Sequence, residues 1–540
     1  MPLTFEQLSR EVVTRFLQSV VVVDDRASLR DDDSTKPHTL LKPTRETIDV
    51  AAPATSGTDT VSDSKHELNA RLLINVFAEK GLVCGVIRPK FQEPFEDKAI
   101  NAALRADITV LDWQLQGTGA IDPDKDATSI ITKIIEREKS QNRIRLIAVY
   151  SAENPDRIKG KIEEILGTFG EFKTDDDGYT FIQNTLRIAI FAKDGTIGAD
   201  PSRTVKENEL PDKLIGEFIK MTMGLLSNAV LESLAALRLN THRILGNFPP
   251  DLDAPYLTNR ALLDEPEEAE DRLTDLIAEE LQDILEEINI GTVANLDTIT
   301  KWLKYKEAAG KSYTLKIIKG GNTTNKVFTC EELNDLLGNG KERWKCKDEV
   351  PISKLHQLAL TDMFHCNEET CKFLDEKYVF TAIMRSRYGN RKPRLTSGTV
   401  VKKQSSEGDP QYFICVQQPC DCIIRTKETK RTFMFLPLSK ATDGRFQVII
   451  KEANEYSKFV YSDKPYDLTS IEFTFPEEFR GLIESEETDG KFCFKDSKGN
   501  EYLWLGELKP QFVRRILQTV AAKLTRADVD EPEWLRYHSK

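Results

Sequence analysis

The sequence predicts an α/β protein whose amino-terminal part is a doubly wound parallel sheet, and two observations support this prediction. Apolar, β-branched runs of strand length recur up to Lys193, and they end in polar residues. Buried parallel strands look like this, because helices cover both faces of the sheet and leave no solvent side. Stretches with apolar residues at helical spacing separate the runs, as the crossover connections of a parallel sheet require.

Five runs supply the predicted strands. They are VVVVDD ending at Asp25, VCGVIRP, DITVLD ending at Asp112, LIAVYSA around Ser151, and RIAIFAK ending at Lys193. In an open parallel sheet, ligands bind at the carboxyl ends of the strands. We therefore expect Asp24, Asp25, Asp112, Ser151 and Lys193 to converge on one site.

Amphipathic helices precede and connect these strands. ELNARLLINVFAEKG supplies the first crossover helix, and FEDKAINAALR supplies the second. Another helix precedes the first strand, because Thr4 and Gln7 have the spacing of a capping box and apolar residues follow at helical spacing.

The residue types at the predicted site favour phosphoryl chemistry. Carboxylates held close together raise one another's pKa unless a cation compensates them, and Mg²⁺ suits a site made of carboxylate oxygens and water. Lys193 and Ser151 are suited to bind phosphoryl oxygens. Asp112 ends the central strand and is the predicted acceptor, since a carboxylate is a competent covalent nucleophile. Trp113 follows it and is expected at the rim of the site.

This ordered set resembles the receiver family of response regulators, over about residues 1 to 205. The resemblance implies a flavodoxin-like, five-stranded parallel sheet. It also implies that Asp24 and Asp25 bind the metal with Asp112, that Asp112 is phosphorylated, and that Ser151 and Lys193 complete the catalytic set.

Two features depart from the usual receiver pattern. Asp194 follows Lys193 where proline is usual, and Ile190 stands where an aromatic switch residue is usual. Phe191 is one position further along, so alternation predicts that it points to the other face of the sheet. The sequence thus retains the phosphoacceptor residues but lacks the usual switch residue.

A long insertion separates the first acid pair from Asp112. Residues 28–66 are rich in Asp, Ser, Thr and Pro and poor in aromatic residues. Such a composition does not bury enough apolar area to offset the entropy of ordering, so a mobile insertion is predicted. A tolerated loop and a functional lid over the acidic site are the two alternatives.

The segment 206–300 is predicted to be helical. Its first part, LIGEFIKMTMGLLSNAVLESLAALRL, is apolar nearly all round, which is typical of a helix buried between partners. A second helix follows with an apolar stripe among acidic residues. The two helices would form either a homodimer interface or an intramolecular hairpin.

Residues 301–540 are predicted to form an α+β domain of unknown function. Strand-like runs such as QYFICVQ, RTFMFLPL and EYLWLGEL precede the helix QFVRRILQTVAAKL. His365, Cys366, Cys371, Cys420 and Cys422 raise the question of a zinc site, but their spacing fits no finger or ribbon, so buried free thiols are favoured.

A basic run in the same domain raises the question of nucleic-acid binding. It consists of Arg385, Arg387, Arg391, Lys392 and Arg394, beside Tyr388. The net charge of −13 argues against a nucleic-acid partner and favours a solvated loop.

Composition limits the remaining function classes. Charged residues make up 30% of the chain, the mean hydropathy is −0.42, and neither a membrane-spanning run nor a signal peptide is visible. A cytoplasmic location without membrane association is therefore expected. The nine cysteines, an odd number, favour reduced thiols over a disulfide framework.

A narrower resemblance points to one kind of signalling system. The insertion, the large carboxy-terminal part, the PCD-containing segment and the EPEWLR ending resemble the receiver proteins of bacterial anti-phage two-component systems of the Detocs type. This implies a sensor histidine kinase as phosphoryl donor and, as a further partner, another receiver-bearing effector. A phosphorylation-independent scaffold and a metal-dependent phosphohydrolase remain the alternatives.

Overall fold

The computed structural model describes residues 3–29, 67–90, 94–115 and, with short gaps, 122–345 and 357–524. Nearly all of the insertion predicted at 28–66 lies outside these residues. The chain divides into two compact units. The first unit contains Met1–Pro250 and Asp275–Lys311, and the second contains Asp251–Thr274 and Ser312–Lys540.

The amino-terminal half alternates strands and helices. In chain order its elements are α1 (Phe5–Phe16), β1 (Ser19–Val23), β2 (Ala27–Ser28), β3 (Leu68–Asn69), α2 (Ala70–Glu79), β4 (Val83–Ile87), α3 (Glu96–Ala103), β5 (Ile108–Leu111), α4 (Lys125–Glu138), β6 (Arg145–Ser151), α5 (Pro155–Phe169), β7 (Lys173–Thr174), β8 (Thr180–Gln183), β9 (Leu186–Lys193), β10 (Thr204–Val205), α6 (Leu210–Thr222), α7 (Leu225–Asn247), α8 (Asp253–Leu262), α9 (Glu268–Glu287) and α10 (Leu296–Ala308).

The main sheet of the first unit has eight strands, in the order β4-β1-β5-β6-β9-β8-β7, with β10 paired to β9. The neighbours from β4 to β9 pair in parallel. This arrangement confirms the predicted α/β class with a parallel-rich sheet. The sheet is larger than the five strands predicted, because the antiparallel strands β7 and β8 and the short parallel strand β10 extend it along β9.

Two apolar layers sandwich this sheet. Along β1, Val20 and Val22 pack into one layer, while Val21 and Val23 pack into the other. The first layer holds apolar residues of α1, α2, α6 and α7, and the second holds those of α3, α4 and α5. Alternate β-branched residues therefore fill both layers, which explains why the strand runs are continuously apolar.

The helix before the first strand forms as predicted. Gln7 N–H donates to Thr4 Oγ1 at 3.2 Å, and Thr4 N–H donates to Gln7 Oε1 at 2.9 Å. This capping box satisfies two backbone donors at the start of α1. Val12 and Val13 of α1 are buried in the first apolar layer.

The second unit is built around an antiparallel sheet. Its elements are β11 (Tyr313–Lys319), β12 (Asn322–Phe328), α11 (Cys330–Asn339), α12 (Gln357–Phe364), α13 (Glu368–Ile383), β13 (Thr399–Lys403), β14 (Gln411–Cys415), β15 (Lys430–Lys440), β16 (Val448–Glu452), β17 (Glu455–Tyr461), β18 (Thr469–Thr474), β19 (Glu486–Thr488), β20 (Lys491–Lys495), β21 (Glu501–Glu507) and α14 (Pro510–Leu524). Nine strands form the order β16-β17-β15-β14-β13-β21-β20-β19, with β18 paired to β15.

Two apolar cores lie against this nine-stranded sheet. Apolar residues of α13 and α14 belong to one of them. The other contains the aromatic residues Phe433, Phe435 and Phe473. Across the described residues, no helix is long and apolar enough to cross a membrane.

Candidate phosphoacceptor site

Four polar side chains lie at the carboxyl ends of four neighbouring parallel strands. Asp24 follows β1, Asp112 follows β5, and Ser151 and Lys193 end β6 and β9. The backbone pairing continues to the acids, since Asp24 N–H donates to Ile87 O at 3.1 Å and Asp112 N–H to Val23 O at 2.9 Å. The sheet itself therefore fixes where these carboxylates lie.

Lys193 bridges the two buried acids. Its Nζ donates to Asp24 Oδ2 at 2.7 Å and to Asp112 Oδ2 at 2.6 Å. Ser151 Oγ and the Trp113 N–H each donate to Asp112 Oδ1 at 2.6 Å. Both oxygens of Asp112 thus accept hydrogen bonds from groups fixed by the sheet.

The half-buried Asp25 lies beside this buried set. One oxygen from each of Asp24, Asp25 and Asp112 lies within 4.8 Å of the others. The structure therefore brings together all five residues that the sequence singled out.

A cavity of about 210 Å³ opens onto Asp112, Ser151 and Lys193. Sequence reasoning missed Arg26, Gln114 and Glu153, which also line it. The Gln114 side-chain amide donates to Glu153 Oε2 at 2.6 Å.

A sequence signal for these three residues was nevertheless present. Each follows a strand-end polar residue by two positions, so the rule that located the acids also locates the loops that line the cavity. Ala152 lines the same cavity and leaves space beside Ser151.

The charges at the site are unequally compensated. Burial raises the pKa of Asp24 to about 6, with Lys193 opposing this rise and Asp112 adding to it. Burial would also raise the pKa of Asp112, but Lys193 and the hydrogen bonds from Ser151 and Trp113 N–H hold it below its ordinary value. Burial would lower the pKa of Lys193, but Asp112 and Asp24 keep it above its ordinary value. One ammonium therefore compensates Asp112 more completely than Asp24.

The donor set fits a small divalent cation. The three carboxylates carry −3 and Lys193 carries +1, which leaves −2 when all of them are ionised. Carboxylate oxygens with room for water are the ligands that Mg²⁺ prefers. The chemistry of Asp24, Asp25 and Asp112 is thus compatible with Mg²⁺ binding.

The indole of Trp113 lies away from the rim of the site. Its side chain is fully buried in the apolar layer that contains Leu111 and Leu115. The expectation of a rim position was wrong, because only the backbone N–H of Trp113 faces Asp112.

The residues before Lys193 alternate between the two apolar layers. Ile190 packs into the layer of α3, α4 and α5, whereas Phe191 packs into the layer of α1 and α6. This confirms that Phe191 points to the other face from Ile190. Tyr150 lies in the layer of Phe191, with its ring centroid 5.8 Å from Lys193 Nζ, and its phenol O–H donates to Val205 O at 2.9 Å.

The cysteines of the second unit do not assemble a metal site from described residues. Cys371 and Cys422 are buried and Cys420 is exposed, while Cys366 lies outside the described residues. Within the described chain, the one close group of three or more candidate metal ligands is the acid cluster of the first unit. Cys422 Sγ instead donates to Gln418 O at 3.3 Å.

Several cations of the basic run are engaged by neighbours in the second unit. Arg385 pairs with Glu507 and Arg394 pairs with Glu484, both at 3.2 Å. The Arg387 guanidinium lies 5.1 Å from the ring centroid of Trp504. These contacts favour a structural loop over a nucleic-acid interface.

Comparison with known proteins gives one match. Residues 16–197 match a family described as the response receiver domain. Neither the curated proteins nor the solved structures include a match. The matched residues contain β1, β5, β6 and β9 together with all five polar residues at their ends. Residues 16–197, about a third of the chain, are thus similar to the response receiver family.

Proposed function

We propose that this protein is a phosphoacceptor of a two-component system, with Asp112 as the residue that is phosphorylated. The observation that carries the proposal is the position of Asp112, which is buried between Lys193 and Ser151 and lines a cavity. A carboxylate with a lowered pKa is available as a nucleophile at neutral pH.

The proposed reaction transfers one phosphoryl group from a phosphohistidine. A carboxylate oxygen of Asp112 attacks phosphorus, the P–N bond breaks, and the imidazole leaves as an acyl phosphate forms. Lys193 and Ser151 are placed to bind phosphoryl oxygens, because both already contact the oxygens of Asp112. Bound Mg²⁺ would be held by Asp24, Asp25 and Asp112 and would neutralise the charge that develops on the phosphoryl group.

The test uses a small acyl phosphate with Mg²⁺ and the full-length protein. We expect one added phosphoryl group, labile to hydroxylamine, in the wild type and in Asp194→Asn, an exposed acid next to Lys193. Asp112→Asn should not be labelled. Label that persists in Asp112→Asn would contradict the assignment, and sustained turnover of a phosphate ester would favour a metal-dependent phosphohydrolase.

The proposed donor is a sensor histidine kinase in an anti-phage signalling system. Support comes from the receiver match together with the PCD segment at Pro419–Cys422, which forms a 3-10 turn in the second unit. The EPEWLR motif lies outside the described residues. If the proposal holds, a kinase encoded next to this protein transfers its phosphoryl group to Asp112, and Asp112→Asn abolishes protection against phage. Equal protection by Asp112→Asn would instead indicate a phosphorylation-independent scaffold.

A further inference from the structure

Arg26 lines the same cavity as Asp112, Ser151 and Lys193. Its side chain is half-buried, and its guanidinium makes no hydrogen bond or ion pair with any residue that the structure describes. A guanidinium offers five N–H donors and stays charged throughout the pH range in which proteins are folded. Arg26 therefore brings a positive charge and unused donors to the cavity at the proposed phosphoacceptor.

The backbone on both sides of Arg26 is fixed. The Arg26 N–H donates to Asp24 Oδ1 at 2.8 Å, and the Ala27 N–H donates to Asp24 O at 3.4 Å. Ala27 is buried and begins β2, where it pairs with Leu68 of β3. The turn that carries Arg26 is thus tied to an acid of the site and to a buried strand.

The charges of the phosphorylated site do not balance without Arg26. A phosphoryl group on Asp112 carries about −2 at neutral pH, and Asp24 and Asp25 carry −1 each when ionised. Mg²⁺ supplies +2 and Lys193 supplies +1, which leaves about −1. The guanidinium of Arg26 brings the net charge to about zero.

The same charges favour an anionic phosphoryl donor before the transfer. With Mg²⁺ bound, the three carboxylates and Lys193 are neutral as a group. Arg26 then makes the site positive, and a positive cavity attracts the phosphoryl group of the donor.

Other charged groups near the cavity are already paired. Glu153 also lines it, but its carboxylate accepts from the Gln114 amide at 2.6 Å and pairs with Arg157 at 3.4 Å. Arg157 pairs with Asp124 as well, at 3.0 Å, so it adds no surplus positive charge. Among the described residues that line the cavity, Arg26 is therefore the cation without an acidic partner.

We propose that Arg26 is a second cationic ligand of the phosphoryl group, in addition to Lys193. Strand β5, which precedes Asp112, lies between β1 and β9 in the sheet. Arg26 follows β1 and Lys193 ends β9, so the two cations start from opposite sides of Asp112. A planar guanidinium can donate to two phosphoryl oxygens at once, which an ammonium does not do with the same geometry. This inference rests on the proposed function, because it assigns one more residue to the same phosphoryl group.

The first experiment compares Arg26→Ala and Arg26→Lys with the control Arg105→Ala in the full-length protein. Arg105 is exposed and precedes β5, so it lies at the opposite edge of the sheet from Asp112. Labelling by a subsaturating concentration of acetyl phosphate with Mg²⁺ should slow about 10- to 100-fold in Arg26→Ala, because a hydrogen bond between charged groups is lost. Arg26→Lys keeps the charge without the fork of donors and should recover part of the rate. Arg105→Ala should match the wild type.

The second experiment measures Mg²⁺ binding to the unphosphorylated protein, which should change in the opposite direction. Removal of a positive charge near the acid cluster should tighten Mg²⁺ binding about 3- to 10-fold in Arg26→Ala, as measured by isothermal titration calorimetry. Arg26→Lys and Arg105→Ala should bind Mg²⁺ like the wild type. A purely structural defect would weaken metal binding and labelling together, so opposite changes identify a role in binding the anion.

The outcomes separate this inference from the proposed function. Equal labelling rates in Arg26→Ala and the wild type would overturn the role of Arg26 and leave phosphorylation of Asp112 intact. Slower labelling together with weaker Mg²⁺ binding in Arg26→Ala would also overturn it, because Arg26 would then act only by holding the turn at Asp24. If the wild type and Arg105→Ala both stay unlabelled, phosphorylation of Asp112 itself is refuted, and the role of Arg26 falls with it.

Discussion

The buried charge of Asp24 should destabilise the first unit whenever the divalent cation is missing. Folding raises the pKa of Asp24 from its ordinary value of 3.8 to about 6, chiefly because of burial. At 1.36 kcal/mol per pKa unit, this difference corresponds to about 3 kcal/mol. Between about pH 4 and pH 6 Asp24 loses its proton in the unfolded chain but keeps it in the folded chain, so the free energy of unfolding falls as pH rises. Above about pH 6 the carboxyl is ionised in both states, and the free energy of unfolding falls no further for this reason.

Asp24→Asn removes this cost while keeping one oxygen acceptor. Asp24 accepts hydrogen bonds from Arg26 N–H at 2.8 Å and from Lys193 at 2.7 Å, and the amide retains an oxygen for only one of them. The expected gain at pH 8 without divalent cations is therefore about 1 to 2 kcal/mol, which is less than the full value of about 3 kcal/mol. At pH 5 the gain should shrink, because the wild-type carboxyl is then largely protonated.

Hydrogen exchange of peptides covering β1 and β5 measures this difference within the first unit alone. With rates corrected for intrinsic exchange at each pH, the free energy of opening should be higher in Asp24→Asn than in the wild type at pH 8. Mg²⁺ should then stabilise the wild type and not Asp24→Asn, by about 1.4 kcal/mol at ten times its dissociation constant. Lower stability of Asp24→Asn at pH 8 without metal would refute the reasoning.

Asp25→Asn provides the matched control for this prediction. Asp25 belongs to the same acid cluster but is less buried than Asp24. Its replacement should therefore abolish the response to Mg²⁺ without giving the gain in metal-free stability.

Three further predictions follow from other contacts. Lys193→Met leaves Asp24 and Asp112 without their cation and should lower the free energy of unfolding by about 3 to 5 kcal/mol. The same hydrogen exchange experiment should show a larger decrease above pH 6 than below it. Tyr150→Phe leaves the buried Val205 carbonyl without the phenol O–H and should lower the free energy of unfolding by about 1 to 3 kcal/mol. Labelling of Asp112 by an acyl phosphate should persist in this variant, and its loss would show a direct role for the phenol. Iodoacetamide should modify Cys420 in the native protein and Cys422 only in urea, as read by peptide mass spectrometry; rapid native labelling of Cys422 would contradict its burial.

The sequence predicted the parallel strands better than the edges of the sheet. Strands β1, β5, β6 and β9 are buried on both faces, so their composition alone indicates their environment. Strand β8 has only four residues, Thr180–Gln183, and pairs with β9 through the tight turn that contains Asn184. Short edge strands depend on the neighbour that they pair with, and local composition does not specify that neighbour.

The same distinction applies to the site. Asp24, Asp112, Ser151 and Lys193 were predictable because each stands where an apolar strand ends, and the sheet brings those ends together. The directions of the loop side chains that follow are set by local turns and tertiary contacts, which the apolar pattern does not encode. For this reason the cavity-lining Glu153 was not identified from the sequence, and the buried indole of Trp113 was placed wrongly.

The site contacts one of the two helical layers more directly than the other. Lys193 has the same parity along β9 as Phe191, and its Nζ lies over Tyr150, which packs in the same layer. Tyr150 in turn holds the carbonyl of Val205 in β10, five residues before α6 begins. Strand β10 also pairs with Lys193 itself through Val205. Ile190, at the position where receivers usually carry an aromatic switch, faces the opposite layer of α3, α4 and α5. Contacts through Tyr150 and Val205 therefore link Lys193 to the layer that contains α1 and α6, which is also the layer against which α7 packs.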